Sequence, residues 1–363
     1  MFHPSSGLGR SGKPAAPVSR KMLSALPLLL LFIANLAAIP ASTVAMASAE
    51  RYTVTALDPP GSSRSQAKSI NNSGKVVGSS YFSKNAYAQA ALFADGKVTK
   101  LGDLGRKPSS AFGINNSGQV AGCSKTESGA THAALYQNGT VIDLGTLEGK
   151  YSSRAYGIND AGQIAGESAT DKGFTHAVLF SNGTVIDLGT LGGRNSYARS
   201  INKSGQIAGS ADLPGDKDYH AALFVKGTVT DLGSLGGNSY ASGINDSGVA
   251  VGTAYTGSDS TRGYRAVAFS NGKVIDLGTL GGKNSCAMGI NNAGQIVGYA
   301  HTVDNVTHAA LFENGMVTDL NSLISPESGW LLKAATAIND VGQITGTGKL
   351  NGKTRPFLLT PVR

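Results

Sequence analysis

The sequence predicts an all-β fold: a seven-bladed β-propeller of four-stranded antiparallel sheets, closed by the N-terminal strand completing the last blade. Three observations predict it. The string Ile-Asn-x-x-Gly occurs seven times, at Ile70, Ile114, Ile158, Ile201, Ile244, Ile290 and Ile338, with spacings of 44, 44, 43, 43, 46 and 48 residues. A period in the forties is the signature of a repeat architecture. Each unit also parses into four short strands separated by Gly/Asn turns. In the third unit these are Ser152–Ile158, Gln163–Ala169, His176–Phe180 and Thr184–Leu188, a β-meander pattern. Finally, the two ends of the chain complement each other. The seventh unit stops at a third strand, Arg355–Thr360, while Tyr52–Leu57 matches a fourth strand with nothing before it. Pairing the two closes a ring and removes the exposed edges that a solenoid would have to cap.

The first 47 residues have a different character. Arg20 and Lys21 precede an apolar run from Met22 to Ile39, and small residues follow, with Ala-x-Ala sites ending at Ala47 and Ala49. This reads as a secretory signal peptide spanning 1–47, cleaved after Ala47 or Ala49, with the propeller in 50–363. An uncleaved anchor is the rival reading, and Pro27, Asn35 and Pro40 make the run a poor span. The expected location is outside the cytoplasm, periplasmic or extracellular, with no membrane association after cleavage. The formal charge of +8 falls to +4 without Arg10, Lys13, Arg20 and Lys21, leaving 27 basic and 23 acidic residues. The basic residues are scattered, so a nucleic-acid partner is not expected.

Composition agrees with a folded, turn-rich chain: 49 glycines, 40% hydrophobic and 15% charged residues. Gly stands four residues after each repeated Ile, where a type I turn closes through the left-handed region. A second Gly, eight after Ile, falls inside a strand in all seven units and marks a bulge or close backbone approach. The other hairpin uses Asn-Gly at Asn138, Asn182, Asn271 and Asn314. Ala stands three before every Ile, and the residue just before Ile is Ser, Gly or Ala. A strand that is small along one face suits the crowded centre of a ring. A single four-stranded unit has two faces to bury, and only its neighbours can cover them, which is why the chain repeats one string.

Closure makes the Ser-x-Ala-x-x-Ile strand innermost and the Thr-Val-x-Asp-Leu strand outermost. Both tight turns then share one rim. The other rim carries the Gly-Thr-Leu-Gly-Gly links and polar loops that differ between units, and variable loops on a rigid scaffold are where binding usually resides. Candidate ligand contacts on that rim and the channel mouth are Arg154, Tyr197, Arg199 and Tyr240 in innermost strands, with Asp216, Asp218, Arg262 and Tyr264 in or beside loops. The structural alternative for the first four is packing or hydrogen bonding between blades. Asp212, Asp216 and Asp218 lie close together without the regular spacing of a calcium loop, so no metal and no cofactor is expected. Cys123 and Cys286 fall in non-adjacent units and are expected to remain free thiols.

Four histidines open third strands, each with an aspartate eleven residues on: His132 with Asp143, His176 with Asp187, His220 with Asp231 and His308 with Asp319. Antiparallel pairing brings these to the same end of adjacent strands. A structural His–Asp bond in each blade is expected, and Arg265 with Asp276 retains the option of opposite charges. No Gly-x-Ser-x-Gly elbow, His-Glu-x-x-His, phosphate loop or Cys-x-x-Cys occurs.

The recurrent DLGTLGG…S.A.GIN..GQI.G…HA.LF resembles the HAF-repeat family of bacterial extracellular repeat proteins over nearly the whole of residues 50–363. The triplet here reads His-Ala-Ala at His132 or His-Ala-Val at His176, with the aromatic two or three places later, and the ending DLNSLI…GW…A.AIND.GQITG.G…RPFLLTP resembles the family's final unit. The resemblance implies export and a β-rich repeat fold; it implies no catalytic residues. Three functions compete. The first is a non-catalytic binding module, a monomer taking a protein or carbohydrate at the variable-loop rim. The second is a propeller hydrolase or lyase acting on an extracellular polysaccharide. The third is a structural surface protein. A structural protein predicts equivalent blades without a deep pocket, whereas a binder predicts one asymmetric funnel. Innermost strands offer Arg, Tyr, Ser and Lys but no carboxylate or His, which weighs against an enzyme.

Overall fold

The computed structural model describes residues 50–58, 65–82, 87–147, 151–257 and 263–362. The segment read as a signal peptide, with both cleavage sites, lies outside the described residues, as does Arg262. Seven four-stranded antiparallel sheets form the seven blades. Their innermost strands are Gln66–Ile70, Gly105–Ile114, Ser153–Ile158, Ser196–Ile201, Ser239–Ile244, Gly281–Ile290 and Trp330–Ile338, numbered here as blades 1 to 7. Blade 7 takes its outermost strand from the other end of the chain: Tyr52–Ala56 pairs antiparallel with Lys353–Pro361, from Tyr52↔Pro361 to Ala56↔Phe357. Strand boundaries in blade 3 fall within a residue or two of the sequence reading. The link between blades 6 and 7 departs from the repeat, with short 3₁₀ turns at Leu320–Leu323 and Pro326–Ser328.

One local device recurs in every innermost strand. In blade 3, Ala155 pairs with Gly166 and Gly157 with Ala165, leaving Tyr156 unpaired in a β-bulge. The same shift occurs at Lys68, Phe112, Arg199, Ser242, Met288 and Thr336. It explains a spacing that regular alternation forbids. Ala and Ile three residues apart would face opposite ways on a flat strand, yet Ala198 and Ile201 share one apolar cluster, as do Ala241 and Ile244. The bulge absorbs the odd residue and throws it toward the channel. It also accounts for the strand glycine: a Cβ on Gly166 would sit 2.1 Å from the Arg154 carbonyl oxygen, and one on Gly209 1.8 Å from that of Tyr197.

The core lies between blades rather than within them. Ala165 and Ala177 of blade 3 pack with Ile201, Ile207 and Phe224 of blade 4. Tyr52, Phe357 and Leu359 of blade 7 pack with Val297 and Leu311 of blade 6. Alanines fill the narrow inner end and Phe the wider outer part, as wedge-shaped neighbours require.

Two polar systems stitch the wedges together. The repeated Asn forms a closed circle: each buried side-chain amide donates to the backbone carbonyl of the next blade's Asn at 2.9–3.3 Å, ending with Asn339 to Asn71 across the seam. Its oxygen meanwhile accepts turn N–H groups, as Asn202 does from Ser204 and Gln206. The residue is fixed by the ring as well as by the turn, and turn chemistry alone shows only the second role. Further out, Ser153 accepts from the Ala133 amide of blade 2 and donates to the Gly145 carbonyl, at 2.8 and 2.6 Å. Ser109, Ser196, Ser239 and Ser285 repeat the clasp.

Candidate functional site

The channel divides into three spaces. At the tight-turn rim a space of about 260 Å³ is ringed by the seven Ile-Asn pairs and the residues that follow them. A middle bore of about 210 Å³ is lined by the bulge residues and their neighbours. The loop-bearing rim opens into the largest space, about 700 Å³. Only this one is strongly asymmetric. Its bulge column contributes Lys68, Phe112, Tyr156, Arg199, Ser242 and Met288. Tyr197 and Tyr240 come from two residues earlier on their strands, and Ser210, Asp212 and Tyr219 from the second and third strands of blade 4.

Aromatic surface gathers on the blade 2–5 side. Phe112 and Tyr156 have ring centroids 5.2 Å apart. The Arg199 guanidinium lies 4.2 Å from the Tyr156 centroid and 5.4 Å from that of Tyr197, within cation–π range. Behind it sits Glu167 from the second strand of blade 3, only 7% exposed. Its Oε1 accepts from Arg154 at 3.0 Å and from the Tyr156 hydroxyl at 2.9 Å, while Oε2 stands 3.5 Å from Arg199 with no hydrogen bond. A buried carboxylate requires such cations, since an isolated charge would be costly. Desolvation by burial pushes the Tyr156 phenol up to about 12 and raises those of Tyr197, Tyr219 and Tyr240. These hydroxyls stay protonated at neutral pH and can both donate and accept.

Lys68 projects into the channel from the opposite side of the ring and remains exposed to its solvent. Among the described residues it has neither a hydrogen-bond nor an ion-pair partner. The surrounding protein lowers its ammonium pKa by desolvation.

The sequence-predicted residues divide into groups. Tyr197, Arg199 and Tyr240 meet in the cavity. Arg154 stands behind it, committed to Glu167, so its role is the hydrogen bonding weighed as the structural alternative. Asp216 pairs with Arg194 at 2.9 Å, and Asp218 is exposed; neither lines the cavity. Tyr264 belongs to an aromatic arc beyond it, with Tyr255 at 5.9 Å and Tyr299 at 6.4 Å between centroids. Arg262 lies outside the described residues. Asp212 holds Asn195 through two bonds, at 3.1 and 2.7 Å, so the aspartate trio is not convergent. Among the described residues no group of three or more His, Cys, Asp or Glu side chains is placed to hold a metal.

Sequence reasoning missed Lys68, Phe112, Tyr156, Ser242 and Met288. The available signal was the column two before Ile, which varies from Lys to Phe, Tyr, Arg, Ser, Met and Thr while its neighbours stay small. It also missed Glu167, because a count restricted to innermost strands passes over a carboxylate supplied by the second.

The His–Asp positions sit on the outer part of the blades, away from the cavity. His132, His176, His220 and His308 place Nδ1 at 2.8, 2.7, 2.9 and 2.6 Å from Asp143, Asp187, Asp231 and Asp319. An ionised carboxylate only accepts, so Nδ1 carries the proton. The other oxygen of Asp143, Asp187 and Asp231 accepts the amide of the Gly two residues on, capping the link turn. Arg265 stands 3.4 Å from Asp276 in the same role. Cys123 and Cys286 are buried free thiols, and desolvation pushes Cys123 up to about 11.

No protein-family model and no curated protein matches the chain. Solved structures similar to it are propellers. The β-propeller domain of the Trilobed protease from Pyrococcus furiosus, described as having an open velcro topology, is 9% identical with a TM-score of 0.53, covering 82% of this chain and 97% of that one. TolB from Acinetobacter baumannii is 13% identical, TM-score 0.46, covering 80% of this chain and 64% of that one. A gluconolactonase from Xanthomonas campestris is 10% identical, TM-score 0.42, covering 88% and 93%. At these identities the likeness is one of fold. Among the described residues no helix is long and apolar enough to cross a membrane.

Proposed function

We propose that this protein is an exported, non-catalytic binding module that takes a carbohydrate into the funnel at its loop-bearing rim. One observation carries the reading. A ring whose blades are otherwise near copies is broken on one side of one mouth, where tyrosines, a cation–π pair and short polar side chains line about 700 Å³. A structural ring has no use for such asymmetry. The volume suits a small ligand of one or two sugar rings. Tyrosine faces stack on the apolar faces of sugars while their hydroxyls, Ser210 and Ser242 reach hydroxyl groups. The reading is non-catalytic because both carboxylates at the cavity are already engaged: Asp212, which lines it, holds Asn195, and Glu167 behind it holds Arg154 and Tyr156.

The test is a glycan array followed by titration calorimetry on residues 50–363. Tyr197→Ala and removal of the Asp212–Tyr219 loop should each weaken a captured saccharide at least tenfold, as loss of a central aromatic contact does. Absence of any saccharide binding, or full affinity in both variants, refutes the proposal. Turnover of the captured saccharide would refute its non-catalytic part.

A further inference from the structure

The charge of the channel points to a more specific ligand. The bore is walled by seven strands, and two of its lining side chains are cations, Lys68 and Arg199, with no acidic residue among them. Both also line the funnel above. They stand on blades 1 and 4, across the ring from each other. Arg199 is partly balanced by Glu167 at 3.5 Å, but Lys68 faces no acid and bonds to nothing among the described residues. The funnel's own acid, Asp212, is turned to Asn195.

An unpaired ammonium lining a narrow channel makes no bond that holds the ring, and a structural ring could place any neutral residue there. The other bulge positions show this, being Phe112, Tyr156, Ser242, Met288 and Thr336. A narrow bore whose own lining carries two cations and no acid favours an anion there, while Asp160, Asp246 and Asp340 stand at the tight-turn rim. The geometry points to an acidic saccharide as the ligand: its anionic group, a uronate carboxylate or a sulfate ester, enters the bore between Lys68 and Arg199 while its ring stacks on Tyr197 and Tyr240. This rests on the carbohydrate reading above and narrows it. The lowered Lys68 pKa agrees, since an incoming anion would favour the charged form and raise it again.

Calorimetry with three oligosaccharides of equal length, one carrying uronate, one sulfated and one neutral, tests it. The parent chain should bind an acidic oligomer at least tenfold more tightly than the neutral one, and added salt should shrink the difference. Preference between the uronate and sulfated arms identifies the anionic group. Lys68→Met should remove most of that preference and leave the melting temperature equal or higher; Lys68→Arg should keep the preference. Equal affinity for acidic and neutral oligomers, or a preference that survives Lys68→Met, overturns the inference while leaving the carbohydrate reading intact. Failure of all three to bind overturns both.

Discussion

Removing residues 51–58 opens the ring, and the size of the effect follows from what that strand holds. Five register pairs join it to Lys353–Pro361. Tyr52, 3% exposed, packs against Phe357 and Leu359. At the far end Asp58, with a side chain 1% exposed, accepts from Arg355 at 2.8 Å. Truncating a buried aromatic costs about 3–5 kcal/mol, breaking a buried ion pair about as much, and each ladder bond about 1 kcal/mol. The total, roughly 11–15 kcal/mol, rivals the whole stability of a typical domain. The truncated chain is therefore expected to lose cooperative unfolding, measured by calorimetry and near-ultraviolet circular dichroism. A graded variant guards against simple misfolding. Tyr52→Ala should lower Tm by about 5–7 °C, at roughly 1.5 °C per kcal/mol for a domain of this size. A synthetic peptide covering 50–58, added to the truncated chain, should restore the transition. A truncated chain that melts at the parent temperature would sink the closed-ring account.

Four further outcomes are expected. Asn202→Ala should cost about 1–3 kcal/mol in urea unfolding, because it leaves two turn amides without an acceptor and takes from the Asn245 carbonyl one of its two donors, the Gly248 amide remaining. Lys226 holds φ +47° in a turn where other units place Asn or Asp, so Lys226→Asn should raise stability by about 0.5–1 kcal/mol. Replacing His220 and Asp231 singly and together should give a coupling of about 0.2–1 kcal/mol, the range for a partly exposed pair, and strict additivity would refute the bond. At Glu313, burial pushes the carboxyl up, but bonds donated by Arg51 and Gln295 outweigh it and hold the group below its ordinary value. Such a group adds stability above its unfolded pKa and loses it as pH falls through the folded value. Glu313→Gln should flatten the acid limb of the Tm–pH profile, by less than about 1 kcal/mol because the Arg51 partner is 45% exposed.

The neighbouring propeller domain described with an open velcro topology gives the closure a useful contrast. Here the seam is joined three ways: by the strand ladder, by the Asp58–Arg355 pair and by the Asn339-to-Asn71 link of the amide circle. The circle matters most for cooperativity, because each Asn both shapes its own turn and holds the next blade. A blade that loosens releases its neighbours' polar groups as well as its own.

By itself the sequence determined the blade count, the strand order, the turn chemistry and the closing partner, because each depends on local spacing repeated seven times. Gly at positive φ, Asn-Gly hairpins and the short-stranded meander are demands of the backbone, and they can be read wherever the string recurs. It also carried the bulge without announcing it, in the Ala and Ile three residues apart. Only the tertiary structure decided which side chains face the channel. The bulge reverses the alternation that would assign them, so Tyr156 and Lys68 turn inward where a flat strand gives no such instruction. Only the ring could bring Lys68, Tyr156, Arg199 and Tyr240 into one cavity, or set Glu167 of blade 3 beside Arg199 of blade 4. Those contacts join residues on separate blades, and their distances are set by how wedge-shaped sheets pack around a centre, a quantity no single repeat contains.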